Sequence, residues 1–401
     1  MRALPAVILA VLLVLAGCSG GPTTTETPAT SDGATPTPEP AQSVTVEGGA
    51  LSVDATTVFG RVQSLLGSDV APPATVTLAD DERLAETFPT GAVGVLGGVD
   101  TDRLLAGFDV AGRTTSGDDV FLNLALLDEP AALESTLAHE YVHAIQYRTG
   151  DFPSVLASLR GDTPGVLDVD GLLADRAVLE GAAVAGEQGY WTAHVGVGTP
   201  PVERTERRYD RQRGLGSIAV ALYRDGYRYV DERVDGPSGL TRVDDRLPAT
   251  TTAVLHDRKP GSVESVPLAV DASADTWTAR GVRAELGELV TREFLRLELG
   301  NEAAAAAAAG WGADRLRVFE RDGQRSFVWV VRFHSEGEAE EFAGATTRWL
   351  DARAERQGGA WVGDRTYQLR RPDGRTVALL AGGPSFARNT RVSGNVTVRA
   401  P

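Results

Sequence analysis

Apolar residues recur at Leu133, Leu137, Tyr141, Ala144 and Ile145, spacing that predicts a helix with one buried stripe between Glu129-Pro130 and Gly150. Pro130 suits a first helical turn and Gly150 suits a stop. Just upstream, Asp119 to Leu126 reads as a strand leading into that helix. Leu172 to Glu187 is dominated by small and aliphatic residues, which predicts a helix able to pack closely against a neighbour. Val44 to about Leu127 mixes strands such as Ala74 to Leu78 with short helices and Gly-rich turns. Beyond Leu286 the pattern changes. Helices are expected over Leu286 to Leu299 and Asn301 to Ala309, and strands over Arg315 to Phe319 and Ser326 to Phe333 about an Asp322-Gly323 turn. A helix follows over Glu336 to Arg356, then a second hairpin, Tyr367 to Arg371 and Thr376 to Ala381, around Pro372-Asp373-Gly374. The fold class expected is α+β, and the order helix, hairpin, helix, hairpin resembles a duplicated unit without sequence identity.

Met1-Arg2 and the apolar run Ala3 to Leu15 have the layout of a short export signal, too brief for a membrane span, which runs into Leu15-Ala16-Gly17-Cys18. That tetrapeptide looks like a lipobox, which would make residues 1–17 a cleaved signal peptide and Cys18 the lipid-bearing residue. Anchorage to the outer face of the membrane through Cys18 is therefore expected, with more than one acyl chain for stable attachment. Residues 18–43 are dense in Thr, Pro, Ser and Gly, and read as a flexible stalk. Cys18 is the only cysteine, so an intrachain disulfide is impossible and stability must come from a core, for which about 350 residues remain. Asn395-Val396-Thr397 is a glycosylation sequon, suited to an exported chain.

The net charge is −16, and Lys259 is the only lysine among 39 basic residues. An acidic, lysine-poor surface suits strong salt; codon bias in a GC-rich mesophile gives a similar composition. The absence of a basic domain argues against a nucleic-acid partner. The cluster Arg204, Arg207, Arg208, Arg211 and Arg213 reads as a solvated loop, with a lid over a cleft as the alternative.

Within the first helix lies His139-Glu140-Tyr141-Val142-His143, the H-E-x-x-H spacing. Histidines four apart stand on one helical face and can reach a single ion, with the intervening glutamate placed to polarise a metal-bound water. With 5 His and 55 acidic residues in 401, the chance expectation is only ~0.007 per chain, so coincidence is a weak account. Zinc is the metal this pattern suggests, and a catalytic zinc needs a third protein ligand plus an open position. The three remaining histidines, His194, His256 and His334, are not close behind the motif, so a carboxylate is expected. Glu180, 37 positions after His143 in the small-residue helix, is the candidate, with Glu187 two turns further on as its substitute.

His139 to Gln146, Leu179-Glu180-Gly181-Ala182, Tyr209 to Gly214, Pro248 to His256 and Ala309 to Arg315 together resemble gluzincin-like metallopeptidases, including surface lipoproteins of halophilic archaea, over roughly Ala106 to Phe342. The resemblance implies His139, His143 and Glu180 as metal ligands, Glu140 as general base, and Tyr209 as a donor to the oxyanion. His256 falls in a matching segment too, but reads equally as a capping or packed residue. The resemblance also implies a zincin-like helical metal-binding core with an antiparallel edge sheet over residues 44–256, followed by an α/β-hairpin region over residues 257–401. Two positions depart from the family. Ala182 stands where the family carries an Asp that would orient a ligand histidine, and Asp257 stands where a Pro is usual.

The function expected is that of a lipid-anchored zinc peptidase acting on peptide or protein substrates. The alternative is a non-catalytic surface binding or envelope-maintenance protein on a degenerate scaffold of the same kind.

Overall fold

The computed structural model describes residues 43–86, 110–150, 165–213, 215–242, 247–264, 266–393 and 396–401. Residues 1–42, on which the expected signal peptide, Cys18 and nearly all of the expected stalk fall, and Asn395 lie outside the described residues. The architecture is α+β.

A small sheet holds β1 (Thr45–Glu47), β2 (Thr75–Ala79), β3 (Gly112–Thr114) and β4 (Asp119–Asn123) in the order β1-β2-β4-β3. It is mixed. β1, β2 and β4 run parallel, because α1 (Ala55–Leu66) crosses over between β1 and β2, and only the edge strand β3 is antiparallel. The strand expected over Asp119 to Leu126 stops at Asn123, whose side chain accepts from the Ala125 amide and starts a 3₁₀ turn.

After α2 (Asp81–Glu86), the motif helix α3 (Pro130–Thr149) ends at Gly150 in the left-handed conformation, φ 85°. The expected stripe broadens into a collar. Every residue from Ser135 to Gln146 is buried, so α3 is enclosed on all sides. Phe59 of α1 meets the Tyr141 ring edge-on, with centroids 5.2 Å apart. The partner helix α4 (Val169–Tyr190) is equally buried, and Gly186 admits Val142 of α3, which would lie 2.7 Å from a Cβ there. α5 (Pro201–Arg211) and α6 (Leu215–Asp231) follow. α6 crosses α4 at a glycine pair: a Cβ on Gly226 would fall 1.7 Å from the Ala177 carbonyl oxygen, and one on Gly181 2.1 Å from the Gly226 carbonyl carbon. Only glycines allow that approach.

The short β5 (Leu167–Asp168) pairs with a much later strand. After α7 (Thr251–Leu255) come β6 (Asp271–Ala274) and β7 (Thr278–Glu285), then α8 (Gly287–Leu295) and α9 (Asn301–Ala308). The hairpin of β8 (Trp311–Arg321) and β9 (Gln324–Phe333) leads to α10 (Glu336–Arg353), started by a Ser335/Glu338 capping box. β10 (Glu355–Gln357), β11 (Ala360–Val362), β12 (Thr366–Asp373) and β13 (Thr376–Gly382) follow. They complete an eight-stranded sheet in the order β10-β11-β12-β13-β9-β8-β7-β5. A third sheet joins β14 (Arg391–Ser393), β15 (Thr397–Ala400) and β6.

The unbroken apolar run of β9 follows from burial on both faces. Trp329, Val331 and Phe333 join the helices in one core, whereas Val328 and Val330 join Phe319, Leu380 and Phe386 in another. The first core also takes in α3, α4 and α6, so side chains from both sides of residue 256 share it. Asp314 of β8 ties sheet to helix. Its buried carboxylate accepts from the amides of Leu286 and Gly287 at the start of α8 and from the indoles of Trp311 and Trp329, at 2.9–3.2 Å.

Candidate metal centre

α3 and α4 bring His139, His143 and Glu180 together, with one ligating atom from each lying within 4.8 Å of the others. Glu180 Oε2 is 3.2 Å from His143 Nε2 and 3.5 Å from His139 Nε2. Ligands about 2.0–2.1 Å from a tetrahedral ion stand roughly 3.3–3.4 Å apart, so these separations match the edges of such a cage. Two imidazoles and one carboxylate form a set that could hold a metal ion.

Behind the ligands stands a layer of orienting groups. His143 Nδ1 is 2.7 Å from Gln146 Oε1, and Gln146 in turn donates to the Leu179 carbonyl, 3.2 Å away on α4. An amide oxygen there calls for a proton on Nδ1, and Nε2 is the nitrogen turned toward Glu180. His139 Nδ1 lies 3.3 Å from Glu187 Oε2, and the other Glu187 oxygen accepts from Ser135 and Arg204. Glu187, the substitute ligand of the sequence reading, is thus an orienting residue. It lies seven residues after Glu180, two turns further along α4. Burial alone would lower the His139 pKa, but the Glu180 and Glu187 carboxylates outweigh it and push it up to about 10. Burial also opposes ionisation of Glu180, yet His143 and His139 hold that carboxyl well below the usual range.

Glu140 is 5% exposed and faces β3. The Thr114 hydroxyl stands 2.8 Å from Glu140 Oε2 and 2.9 Å from the Glu140 carbonyl oxygen, close enough to share its proton between them. Burial pushes the Glu140 carboxyl up, with His139 and His143 opposing. A carboxyl raised in this way takes up a proton more readily than a solvated one. Gly112 lets β3 approach, since a Cβ there would sit 2.9 Å from Glu140 Cγ. The outermost described strand of the small sheet therefore runs directly beside Glu140.

Tyr209 belongs to another cluster, which corrects the oxyanion role expected of it. Its hydroxyl donates to Glu293, 2.7 Å away on α8, and its ring is stacked between the guanidiniums of Arg224 and Arg296, 3.4 and 3.8 Å from the centroid. The tyrosine at the centre is Tyr223, whose ring stacks on His139 at 5.6 Å and 22°. No motif marks it, and its only signal was its place on α6 one turn before the Gly226 crossing. His256 is likewise engaged elsewhere, 2.7 Å from Glu288. Of the arginines expected in a loop, Arg204, Arg207, Arg208 and Arg211 lie on the helix α5 and Arg213 just beyond it, with Arg204 reaching in to Glu187 and Arg207 pairing with Glu203 on the surface.

The family model described as Domain of unknown function (DUF8575) matches residues 271–393. That segment runs from β6 to β14 and lies entirely after the metal-centre residues. No curated protein and no solved structure matches the chain.

Proposed function

We propose that this chain is a zinc-dependent hydrolase that cleaves peptide bonds, carried by the convergence of His139, His143 and Glu180 beside a buried, base-competent Glu140. His139, His143 and Glu180 would hold the ion, and Gln146 and Glu187 hold the two imidazoles in place. Bound there, zinc supplies the Lewis acidity that activates water near neutral pH and polarises a carbonyl. Glu140 takes the proton of the attacking water on its carboxylate and returns it to the departing amine, while Thr114 fixes its orientation. Among the described residues β3 is the outermost strand of the small sheet, and it runs next to that carboxylate, where an extended substrate backbone would lie along the strand. This edge favours peptides over compact substrates. Its zincin-like character rests on the motif, the ligand set and this edge strand together.

The reading includes attachment to the outer membrane face through Cys18, which rests on the lipobox pattern. No helix of the described residues is long and apolar enough to cross a membrane.

The test is metal analysis of the purified protein together with cleavage of a peptide library, with and without chelator. Glu140→Gln should retain stoichiometric zinc and lose cleavage by at least about a hundredfold. Equal turnover in that variant removes the mechanism. Zinc without cleavage in the native chain would support the binding-protein alternative.

A further inference from the structure

A cavity of about 530 Å³ lies at the opposite end of α4 from the metal centre, between the eight-stranded sheet and residues 266–270. Asp170 marks it and Glu180 marks the centre, ten residues apart, or roughly 15 Å along the helix. The cavity floor is charged in an unusual way. β7 and β8 set Arg283 directly opposite Arg317, and the next pair on the same face is Glu285 with Arg315, joined by an ion pair of 2.5 Å. Like charges opposed across strands repel, and the Arg283–Arg317 pair has no carboxylate within ion-pairing distance among the described residues. Arg317 is only 6% exposed, and its buried Nε has no hydrogen-bond partner there. A guanidinium cannot escape by deprotonation.

Five carboxylates line the cavity, Asp168, Asp170, Glu264, Asp271 and Glu285, yet among the described residues none of them forms an ion pair with Arg283 or Arg317. Glu285 is engaged by Arg315, and Asp168 caps α4 by accepting from the Gly171 amide at 2.7 Å. Asp170 is buried, and desolvation raises its carboxyl well above the usual value while hydrogen bonds from Thr251 oppose this. Its Oδ2 has no partner among the described residues, a second buried polar atom in the same wall awaiting one. Asp271 sits exposed at the mouth and offsets Arg317 only at a distance. We propose that this cavity is a binding site for a small molecule bearing an oxyanion, a carboxylate or a phosphate, held between Arg317 in the floor and Arg283 at the mouth. Paired guanidiniums offer several N–H donors to the oxygens of one such group. Asp170 supplies a hydrogen-bonding position for the far end of the same ligand. Four of the residues concerned, Arg283, Glu285, Arg315 and Arg317, lie in the segment matched by the family of unknown function, whereas the metal ligands do not. The site therefore stands or falls apart from the peptidase reading.

The experiment titrates the full chain with inorganic phosphate and, separately, with succinate, at ionic strength held constant with potassium chloride. Calorimetry and melting temperature are the readouts. Saturable binding of one probe with a matching rise in melting temperature is expected, and which probe binds identifies the oxyanion. Arg283→Gln, at the exposed mouth, should weaken binding at least tenfold without changing the ligand-free melting temperature. Arg317→Met should abolish binding and melt no lower than the native chain without ligand, because it removes a buried unpaired charge. No saturable binding of either probe overturns the proposal, as does undiminished binding in Arg283→Gln. A ligand-free Arg317→Met protein that melts well below the native chain, with Arg283→Gln binding unchanged, would make Arg317 a structural residue and overturns it equally.

Discussion

A zinc ion in the proposed site would compete with a proton for His139, and that competition should set the pH dependence of metal binding. In the metal-free chain Glu180 and Glu187 flank the imidazole on both sides and push its pKa up to about 10, so at neutral pH the ring carries a proton that any metal must displace. Each pH unit below that value costs about 1.4 kcal/mol of apparent affinity, so binding should tighten roughly a hundredfold between pH 7 and pH 9. One proton should leave per metal bound. Competition against a chelator of known protonation behaviour gives the affinity, and calorimetry in two buffers of different ionisation enthalpy counts the proton. Stability follows the same linkage. A histidine raised from 6.5 stabilises the metal-free fold fully below pH 6.5, and this contribution is lost as pH rises through about 10; its ceiling is on the order of 4 kcal/mol. Affinity flat from pH 7 to 9, with no proton released, would mean that the ring is neutral in the metal-free chain and that the flanking carboxylates do not act on it as described.

Three other expectations follow from the packing. Glu187→Gln should weaken zinc binding roughly 10–100-fold at unchanged secondary structure, because the carboxylate behind His139 is lost; equal affinity in a chelator titration would deny Glu187 its orienting role. Asp314→Ala strands two amides and two indole N–H groups in a buried site and should cost about 3–5 kcal/mol in urea unfolding, with a loss under about 1 kcal/mol contradicting the tie it makes between sheet and α8. Gly226→Ala forces α6 off the Ala177 carbonyl and should destabilise by about 2–3 kcal/mol while lowering metal occupancy; native melting and full occupancy together would refute the crossing as drawn.

The convergence of His139, His143 and Glu180 is legible because their spacing is local or lies within one helix–loop–helix excursion, and both hairpins are marked by turn residues flanking apolar runs. Boundaries drifted where tertiary contacts decide them. The helix begun near Leu286 ends at Leu295, where the sequence reading carried it on to Leu299, and α10 stops at Arg353 rather than Arg356. β5, two residues long, has no pattern of its own and exists only because β7 lies beside it. Tyr209 was misassigned and Tyr223 missed for a common reason: which aromatic ring meets His139 depends on how α6 crosses α4. The Arg283–Arg317 pair was equally hidden, because cross-strand register cannot be read from either strand alone.

Glu180 and Gly181 stand side by side in the chain yet answer to different demands, one chemical and one purely spatial. The missing side chain at Gly181, matched at Gly226, fixes the gap between two helices, and Tyr223 sits a single turn from that contact over the His139 ring. Freedom of the imidazole to swing is therefore governed by a residue that never approaches it. A wedge of even one methyl group at the crossing would act as a loosened hinge pin, felt first as wobble in the cation's cradle.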